Sequence, residues 1–559
     1  MKYYILLLFF LSPFIGLGQT KPTLPSPVEI PLILAGTFGE LRSNHFHSGI
    51  DIKTQQRQGI KAIAIADGYV SRIKISEWGY GKALYITHTN GYTSVYAHLQ
   101  KFAPEIERYV RTAQYKKEQY EIELFPSPET LPITSGNLVA YTGNTGSSAG
   151  PHLHFEIRET RTEKPTNPLQ YGLQVADATS PTILNVYAYP ISDSTHINQQ
   201  QSKVQLALKK QADGSYITNT IDALGTIGLG IEAYDRQDLA ANKNGLFSVS
   251  QKVNGKEYTN FDVSDFSFGE TRYINTLIDY DHFGRYNKRI QRLFRVENNR
   301  LSIYNTLVND GKIVVKEGLQ YQVEITLADY NKNTTRIIVP VTGTSKVSGF
   351  TKQTTNNTYV IAKKPSTFDL GGAKVYFPAN TFYENVYLDL QKGKDTVTIH
   401  RATIPAHRNF TLTFDVAHLS DSVRKQAFIG RLQKYGPPSF VKTYKRGDTF
   451  TARTKDLGSY TIAIDTLSPK IRSKNFKNKQ WLNNYQYLRL SLTDDFSGVA
   501  SYRGKLNGKW ILLEYEPKTN TLTYNFNDTK LESTTCVLEI IATDNVGNTT
   551  TFNSKFYRK

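Results

Sequence analysis

The sequence predicts a mainly β protein built from several domains. With 559 residues the chain exceeds the usual size of one domain. Its hydrophobic content of 39%, with 36 tyrosines and 28 phenylalanines, favours half-buried strands over disorder. Residues 20–176 also carry short strand patterns separated by glycine-containing turns. We therefore expect strands to dominate throughout.

The first residues predict export. Residues 1–18 combine a positive start, an apolar run and a small-x-small end at Gly16 and Gly18, which is typical of a signal peptide cut after Gly18. A membrane anchor is the alternative, but Ser12 and Pro13 interrupt the run and it is short for a span. No later segment is apolar enough to cross a membrane. We expect a periplasmic or secreted protein of the cell envelope.

Net charge restricts the expected binding partners, and cysteine content restricts the possible disulfides and metal clusters. The formal charge of +18 is spread along the chain, which favours an anionic wall, lipid head group or acidic glycan, and nucleic acid is not an expected partner of an exported chain. Cys536 is the single cysteine, so internal disulfides and cysteine metal clusters are excluded. A buried structural thiol is expected there.

The N-terminal third reads as strands with one helical insertion. Strand patterns occupy 62–70, 83–88 and 93–98. Between about 101 and 134 the texture changes: Pro104 can open a helix, apolar residues follow at helical spacing, and prolines at 126 and 128 are expected to close it.

An internal repeat organises the rest of the chain. Three landmarks recur in the same order, namely 177–183 with 465–471, 245–256 with 498–509, and 325–335 with 540–550. They predict two Ig-like β-sandwiches, at 177–345 and 465–559, around a β-rich middle domain at 346–464. Asn-Gly pairs at 254–255 and 507–508 predict hairpin turns.

Histidines concentrate near the start of the chain. Of 11 histidines, six precede residue 155: His45, His47, His88, His98, His152 and His154. On a strand, the alternation of residues 152–157 places His152 and His154 on one face. His47 and Asp51, four apart, can bring one nitrogen and one oxygen to a common ion.

This set suits a catalytic metal. His47, Asp51 and His154 would supply three ligands and leave a fourth position for water, as in catalytic zinc sites. His98 and His152 would then be free to act as base and as stabiliser of the oxyanion. Zinc is inferred from the nitrogen and oxygen ligands. Manganese or cobalt could also bind to the same ligands.

These residues resemble the peptidase M23 family, the lysostaphin or LytM type of zinc endopeptidase. The resemblance covers about 30–172 and is carried by 47–52 (HSGIDI), 66–70 (ADGYV), 79–81 (GYG), 96–99 (YAHL), 150–157 (GPHLHFEI) and 167–169 (NPL). It implies zinc ligands at His47, Asp51 and His154, with catalytic His98 and His152.

The resemblance further implies a two-sheet antiparallel catalytic domain, placed at 19–176, with a long groove. The implied activity is hydrolysis of peptide cross-links in bacterial peptidoglycan. Two departures from the family pattern bear on substrate choice: the 101–134 insertion, which could cover the groove as a flap, and residues 53–59, which replace a small, proline-containing stretch.

Other readings remain open. A non-catalytic M23-like domain would bind the wall or activate another hydrolase, although all five positions are retained here. Alternatively, the sandwiches could carry the main function by contacting envelope proteins. Residues 146–150 match a serine nucleophile elbow, but a strand pattern follows instead of a helix. His45 is a candidate outer partner of the site, and His88 is expected to be structural.

Overall fold

The computed structural model describes residues 21–345 and 357–559. Strands account for 46% of it and helices for 8%, and the sheets are predominantly antiparallel, which confirms the mainly β fold class. The signal peptide predicted for 1–18 and the start of the middle domain, 346–356, lie outside the described residues. Among the helices that are described, none has the length and apolar character needed to cross a membrane.

The N-terminal segment, residues 21–176, holds two antiparallel sheets. Its elements are β1 Leu34–Gly36, β2 Ile50–Lys53, β3 Lys61–Ile63, β4 Gly68–Ile75, β5 Lys82–His88, β6 Tyr92–Ala97, β7 Lys101–Phe102, α1 Pro104–Lys117, β8 Ile122–Leu124, β9 Pro132–Ile133, β10 Leu138–Tyr141, β11 His152–Glu159 and β12 Pro165–Thr166.

Strand β11 lies near the centre of the larger sheet. The order is β1-β2-β11-β6-β5-β4-β8, with β12 beside β11 and β9 beside β4, and the smaller sheet is β3-β10-β7. The predicted strand at 62–70 is therefore two strands in different sheets, because the chain crosses between them after Ile63. The two flanking strands of β11, β2 and β6, bring other functional residues beside it.

The predicted helical insertion forms, but it ends early. Helix α1 buries Ile106 and Val110 on one face, as the spacing predicted. It stops at Lys117 because Glu118 takes a left-handed conformation (φ 51°), well before Pro126. The chain then returns as β8, which pairs with β4 at the edge of the larger sheet. The insertion is thus integrated into the sheet.

The first repeat, residues 177–345, follows. Its elements are β13 Thr182–Pro190, β14 His196–Ile197, β15 Val204–Leu206, β16 Leu208–Lys210, β17 Tyr216–Thr218, β18 Ile221–Tyr234, β19 Ser248–Val253, β20 Lys256–Asp262, α2 Ile274–Leu277, α3 Tyr280–Tyr286, β21 Gln291–Arg292, β22 Tyr304–Leu307, β23 Ile313–Val315, β24 Gln320–Ala328 and β25 Thr334–Gly343.

The middle segment, residues 357–464, has mostly short strands. Its elements are β26 Thr358–Val360, β27 Ser366–Asp369, β28 Ala373–Phe377, β29 Val386–Leu388, β30 Leu390–Lys392, β31 Thr396–Ile399, β32 Phe410–Asp415, α4 Asp421–Gln426, β33 Ala427–Arg431, β34 Ser439–Val441, β35 Thr443–Arg446, β36 Thr449–Thr454 and β37 Gly458–Ile464.

The second repeat, residues 465–559, is a two-sheet unit. One sheet is ordered β38-β40-β44-β43 and the other β39-β46-β45-β41-β42. Its elements are β38 Lys470–Ser473, β39 Gln480–Trp481, β40 Tyr487–Thr493, β41 Val499–Leu506, β42 Lys509–Ile511, β43 Glu514–Glu516, β44 Thr521–Asn525, β45 Thr535–Asp544 and β46 Thr549–Tyr557.

Both repeats contain the predicted hairpins. Asn254 and Gly255 join β19 to β20 with φ of 48° and 80°, and Asn507 and Gly508 join β41 to β42 with φ of 50° and 79°. Positive φ at both turn residues is what Asn-Gly hairpins require. The prediction of these turns is confirmed.

The hydrophobic cores show which segments of the chain pack together. One continuous core runs from Leu24 to Val341 and therefore joins the N-terminal segment to the first repeat. The middle segment and the second repeat have cores of their own, from Val360 to Tyr460 and from Ile471 to Phe556. The first repeat is thus packed directly against the segment that carries the histidine cluster.

Candidate active site

Strand β11 fixes two histidines on the open face of the larger sheet. Leu153 and Phe155 are fully buried on the opposite face and anchor the strand. His154 lies opposite Asp51 of β2 on one side and opposite Ala97 of β6 on the other. His98 follows β6 directly and His47 precedes β2. Three neighbouring strands therefore gather all five predicted site residues.

Three donor atoms converge at the centre of the site. His47 Nε2 lies 3.1 Å from Asp51 Oδ1 and 3.0 Å from His154 Nδ1, and the latter lies 3.0 Å from Asp51 Oδ1. Ligands about 2.1 Å from a tetrahedral zinc ion would be about 3.4 Å apart, so only a small adjustment is needed. The three residues could hold a metal ion.

The outer ring nitrogens of both histidines have acceptors. His47 Nδ1 donates to the Thr37 carbonyl at 2.8 Å, and His154 Nε2 donates to Glu156 Oε1 at 2.7 Å. With a metal ion bound, these bonds would leave the lone pairs of His47 Nε2 and His154 Nδ1 free to bind it. Such outer hydrogen bonds select the tautomer and orient the ring of a metal-binding histidine. The donor set therefore suits a metal in its chemistry as well as its spacing.

Glu156 is a functional residue that the sequence analysis did not single out. Its carboxylate is fully buried and accepts hydrogen bonds from Ser48 (2.7 Å), Arg158 (2.6 Å) and Tyr80. Burial alone would raise the pKa of Glu156, but Arg158 and His154 lower it to about 2. Glu156 shares the face of His154 because it lies two residues further along β11, so the strand period could have identified it.

Opposite charges also act on Asp51 and His154. Burial opposes ionisation of Asp51, yet His47 and the hydrogen bonds from His152 and His154 hold its pKa well below the ordinary value. Burial also opposes protonation of His154, while Asp51 and Glu156 raise its pKa to about 9. The site thus concentrates negative charge where a cation would sit.

His98 and His152 lie beside the donor set. His98 Nδ1 donates to the Thr145 carbonyl at 2.9 Å, and His152 Nδ1 donates to the Gly150 carbonyl at 2.8 Å. Their ring centroids are 4.7 Å apart, and His152 Nε2 lies 3.4 Å from Asp51 Oδ1. Burial, followed by repulsion from His154 and His152, lowers the pKa of His98 to about 3. A neutral His98 can accept a proton.

The five residues open into a cleft of about 1600 Å³. Gln55 and Gln56, from the departure at 53–59, lie along it, and so does the exposed His45. Phe268 and Arg289 of the first repeat form part of the wall. The first repeat therefore shapes the space available to a substrate.

The insertion and the remaining histidines lie elsewhere. Within the described residues, nothing from 101–134 lines the cleft, so the expected flap over the groove is wrong: β8 holds the insertion at the far edge of the sheet. His88 is buried and bonds Ser94 Oγ at 2.7 Å, which fits the structural role expected for it. Ser148 is followed by strand β11, not by the helix that a nucleophile elbow needs.

Parts of the chain are similar to known protein families and to individual relatives. The model of peptidase family M23 matches residues 45–115, and that of the Zu5-like domain matches 357–465. The DD-carboxypeptidase/endopeptidase Mpg of Neisseria meningitidis is 32% identical over 139 residues, which cover 25% of this chain and 26% of the relative. The murein hydrolase activator NlpD of Escherichia coli is 34% identical over 135 residues, 24% of this chain and 28% of that protein.

The chain therefore spans about a quarter of the length of these relatives. Among solved structures, the catalytic domain of the prophage-encoded M23 protein EnpA from Enterococcus faecalis is 22% identical and covers 28% of this chain and 99% of that one, with a TM-score of 0.20. The lysostaphin catalytic domain of Staphylococcus simulans is 19% identical, covers 25% and 91%, and has a TM-score of 0.19. The N-terminal segment is thus similar to peptidase family M23, whose family model matches residues 45–115.

Proposed function

We propose that this protein is an exported, zinc-dependent endopeptidase that hydrolyses peptide cross-links of bacterial peptidoglycan. The observation that carries the proposal is the convergence of His47, Asp51 and His154 beside two further imidazoles, with all five residues lining one open cleft. Two of the relatives, an endopeptidase and a murein hydrolase activator, support the same substrate class.

Each residue of the site would have its own role in the reaction. His47, Asp51 and His154 would hold zinc, with Thr37 and Glu156 fixing the two imidazole rings. A bound zinc ion supplies Lewis-acid activation of water near neutral pH. His98, buried and neutral, would accept a proton from the attacking water. His152, when protonated on both ring nitrogens, would donate a hydrogen bond from Nε2 to the substrate carbonyl oxygen as negative charge develops there.

The rest of the chain would place the enzyme on its substrate. We propose a signal peptide at 1–18, an M23 domain at 19–176, Ig-like sandwiches at 177–345 and 465–559, and a β-rich middle domain at 346–464. The net charge of +18 would favour anionic envelope polymers. The modules would provide further contacts with the envelope, including envelope proteins.

A hydrolase activator is the second candidate, and the likeness to NlpD is what favours it. An activator needs the cleft as a binding surface but does not need a proton acceptor beside the donor set. The presence of both His98 and His152, each oriented by a main-chain carbonyl, favours catalysis.

The test is digestion of purified cross-linked muropeptides by the zinc-loaded full chain. We expect conversion of dimers to monomers that a chelator abolishes and zinc restores. His152→Ala should lose at least about a hundredfold in rate, whereas His418→Ala, which changes an exposed histidine of the middle segment, should not. Zinc binding without cleavage, together with stimulation of a separately added wall hydrolase, would establish the activator instead.

A further inference from the structure

Three carboxylates meet where the first repeat joins the N-terminal segment. Asp177 precedes β13, Asp235 follows β18 and Asp329 follows β24. Each offers one oxygen, and these oxygens lie within 4.8 Å of one another. A cavity of about 30 Å³ lies against them, and Leu34 and Asn167 of the N-terminal segment complete its wall. The space is the size of one ion or one water molecule.

The charge of this cluster is not balanced by the protein. The chain has 67 lysines and arginines against 49 acidic residues, yet in the described part of the chain the charged groups that act on Asp235 are only Asp329 and Asp177. The hydrogen bonds to the cluster come from neutral groups: Thr179 N donates to Asp177 at 3.0 Å, and Asn333 donates to Asp329 through its main-chain N at 2.8 Å and its side-chain amide at 2.7 Å.

Asp235 points to a missing partner. Asp235 is buried, with 3% of its surface exposed, and its Oδ1 has no hydrogen-bond partner among the described residues. Burial, followed by repulsion from Asp329 and Asp177, raises the pKa of the Asp235 carboxyl to about 7. An unsatisfied buried carboxylate oxygen is costly. A cation in the cavity would remove both the repulsion and the unmet acceptor.

We propose that Asp177, Asp235 and Asp329 bind one calcium ion. A donor set made only of oxygen suits a hard cation and not zinc. Calcium takes six to eight oxygens at about 2.3–2.6 Å, so ligands on opposite sides lie about 5 Å apart, in keeping with the spacing of the cluster. Magnesium keeps more of its water and usually binds through one or two carboxylates, so three favour calcium.

The second repeat provides an internal comparison. Asp465, Asp494 and Asp544 occupy the corresponding strand ends and also converge. There, however, Asp494 accepts from Gly498 N at 2.7 Å, and Asp544 Oδ1 accepts from three main-chain amides, the shortest from Gly547 at 2.7 Å. Asp329, like Asp544, accepts from amides of its own turn. The two copies therefore differ at Asp235, whose Oδ1 has no partner among the described residues, whereas Asp494 accepts from main-chain amides, so the proposal concerns the first repeat alone.

The ion would brace the segment that carries the active site. In the loop after Asp235, Gln237 accepts from Leu34 N at 2.7 Å and donates to the Leu32 carbonyl at 3.1 Å. Gly245 N, at the end of that loop, donates to Thr37 Oγ1 at 3.2 Å. Thr37 is the residue whose carbonyl orients His47. Calcium would thus stabilise the junction between the first repeat and the site.

The test is calcium titration of the full chain, with zinc supplied in stoichiometric amount and all buffers freed of calcium. Calorimetry should detect calcium binding, and calcium should raise the Tm of the unfolding transition by at least about 2 °C. Magnesium at the same concentration should give less than half of that shift. An equal shift with magnesium would overturn the assignment to calcium.

Two isosteric variants localise the effect. Asp235→Asn should lose one calcium equivalent and the Tm response, while Asp494→Asn, the matched change in the second repeat, should keep both. In calcium-free buffer, Asp235→Asn should melt no lower than the parent protein because it removes an unpaired buried charge. Asp329→Asn provides a second loss variant. No calcium binding by the parent protein, or unchanged binding by both loss variants, would overturn the proposal.

Discussion

Lys518, in the second repeat, donates a hydrogen bond of 3.0 Å to the main-chain carbonyl of Ser148. The same ammonium group also bonds the carbonyl of Asn144. Ser148 Oγ lies 3.2 Å from His152 Nδ1, so Lys518 is one residue removed from a proposed catalytic group. A domain more than 350 residues away in sequence therefore fixes the loop before β11.

Removing this contact should slow hydrolysis. Lys518→Ala deletes a charged donor to two carbonyls and frees the loop that sets the position of His152. We expect kcat/KM to fall about threefold to tenfold, because small displacements of a positioned group cost rate. Zinc affinity should stay unchanged, since Lys518 contacts none of the three donor residues.

The matched control is Lys509→Ala, which removes an exposed lysine of the same repeat that pairs with Glu532 at 2.8 Å. Steady-state cleavage of a cross-linked peptide and a zinc competition assay give both readouts. A rate for Lys518→Ala equal to that of the control would show that the loop needs no support from the second repeat.

Glu156 should set the affinity of the site for its metal. Glu156→Gln keeps the shape of the side chain but removes the charge that orients His154 and neutralises Arg158. We expect zinc to bind about 10- to 100-fold more weakly. Competition with a chromophoric chelator measures this directly.

Glu163→Gln is the control for that experiment, because Glu163 contacts the same Arg158 at 3.0 Å from an exposed position. A zinc affinity that falls equally in both variants would assign the effect to Arg158 and not to the orientation of His154. Circular dichroism would confirm that both proteins fold.

The residues of the candidate site are predicted from the sequence better than the groups around them, for a physical reason. The strand period of β11 places His152 and His154 on one face, and the same period reaches Glu156. The acceptors for His47 and His98 are the carbonyls of Thr37 and Thr145, and main-chain atoms carry no side-chain signature. Such partners emerge only when the chain is folded.

In the fold, too, the sequence predicts local features but not the contacts between distant segments. Local signals such as the Asn-Gly turn at Asn254 and the helix after Pro104 are confirmed. The path from β3 to β4 changes sheet, and alternation of apolar residues does not encode which sheet a strand joins. The packing of the insertion also depends on residues distant in sequence: the ring centroids of Tyr115 in α1 and Trp510 in the second repeat are 5.2 Å apart.

Lowering the pH should weaken the contact between the N-terminal segment and the second repeat, because it protonates Glu514. This carboxylate accepts from Lys82 at 2.8 Å and from Arg111 at 2.5 Å, both in the N-terminal segment. Burial would raise the pKa of Glu514, but Lys82 and Arg111 lower it to about 2. A depressed pKa means that the ionised group stabilises the folded state above its unfolded pKa of about 4.3, and that this is lost toward pH 2.

Glu514→Gln should therefore lower the free energy of unfolding by about 1–3 kcal/mol at pH 7, after allowance for its partial exposure. The difference from the parent protein should shrink as pH falls from 4.5 toward 2.5. Glu539→Gln, a change of a half-exposed carboxylate in the same repeat, should show little difference at any pH. Denaturant unfolding at several pH values measures both, and a difference that is constant with pH would contradict the linkage.

Gly49 should be essential for bringing His47 to β11. It lies between His47 and Asp51, and a Cβ there would fall 2.3 Å from the Phe155 carbonyl oxygen and 2.8 Å from Glu156 Cγ. Because the carbonyl belongs to a central strand, the loop and not the strand must move, which separates His47 Nε2 from His154 Nδ1. We expect Gly49→Ala to lose at least about 2 kcal/mol of stability and to bind zinc more than about tenfold more weakly. Gly269→Ala, where the nearest atom is 3.4 Å away, is the control. Parent-like zinc affinity in Gly49→Ala would show that the ligand loop adjusts independently of the strand, and that the close approach is not what aligns the donor set.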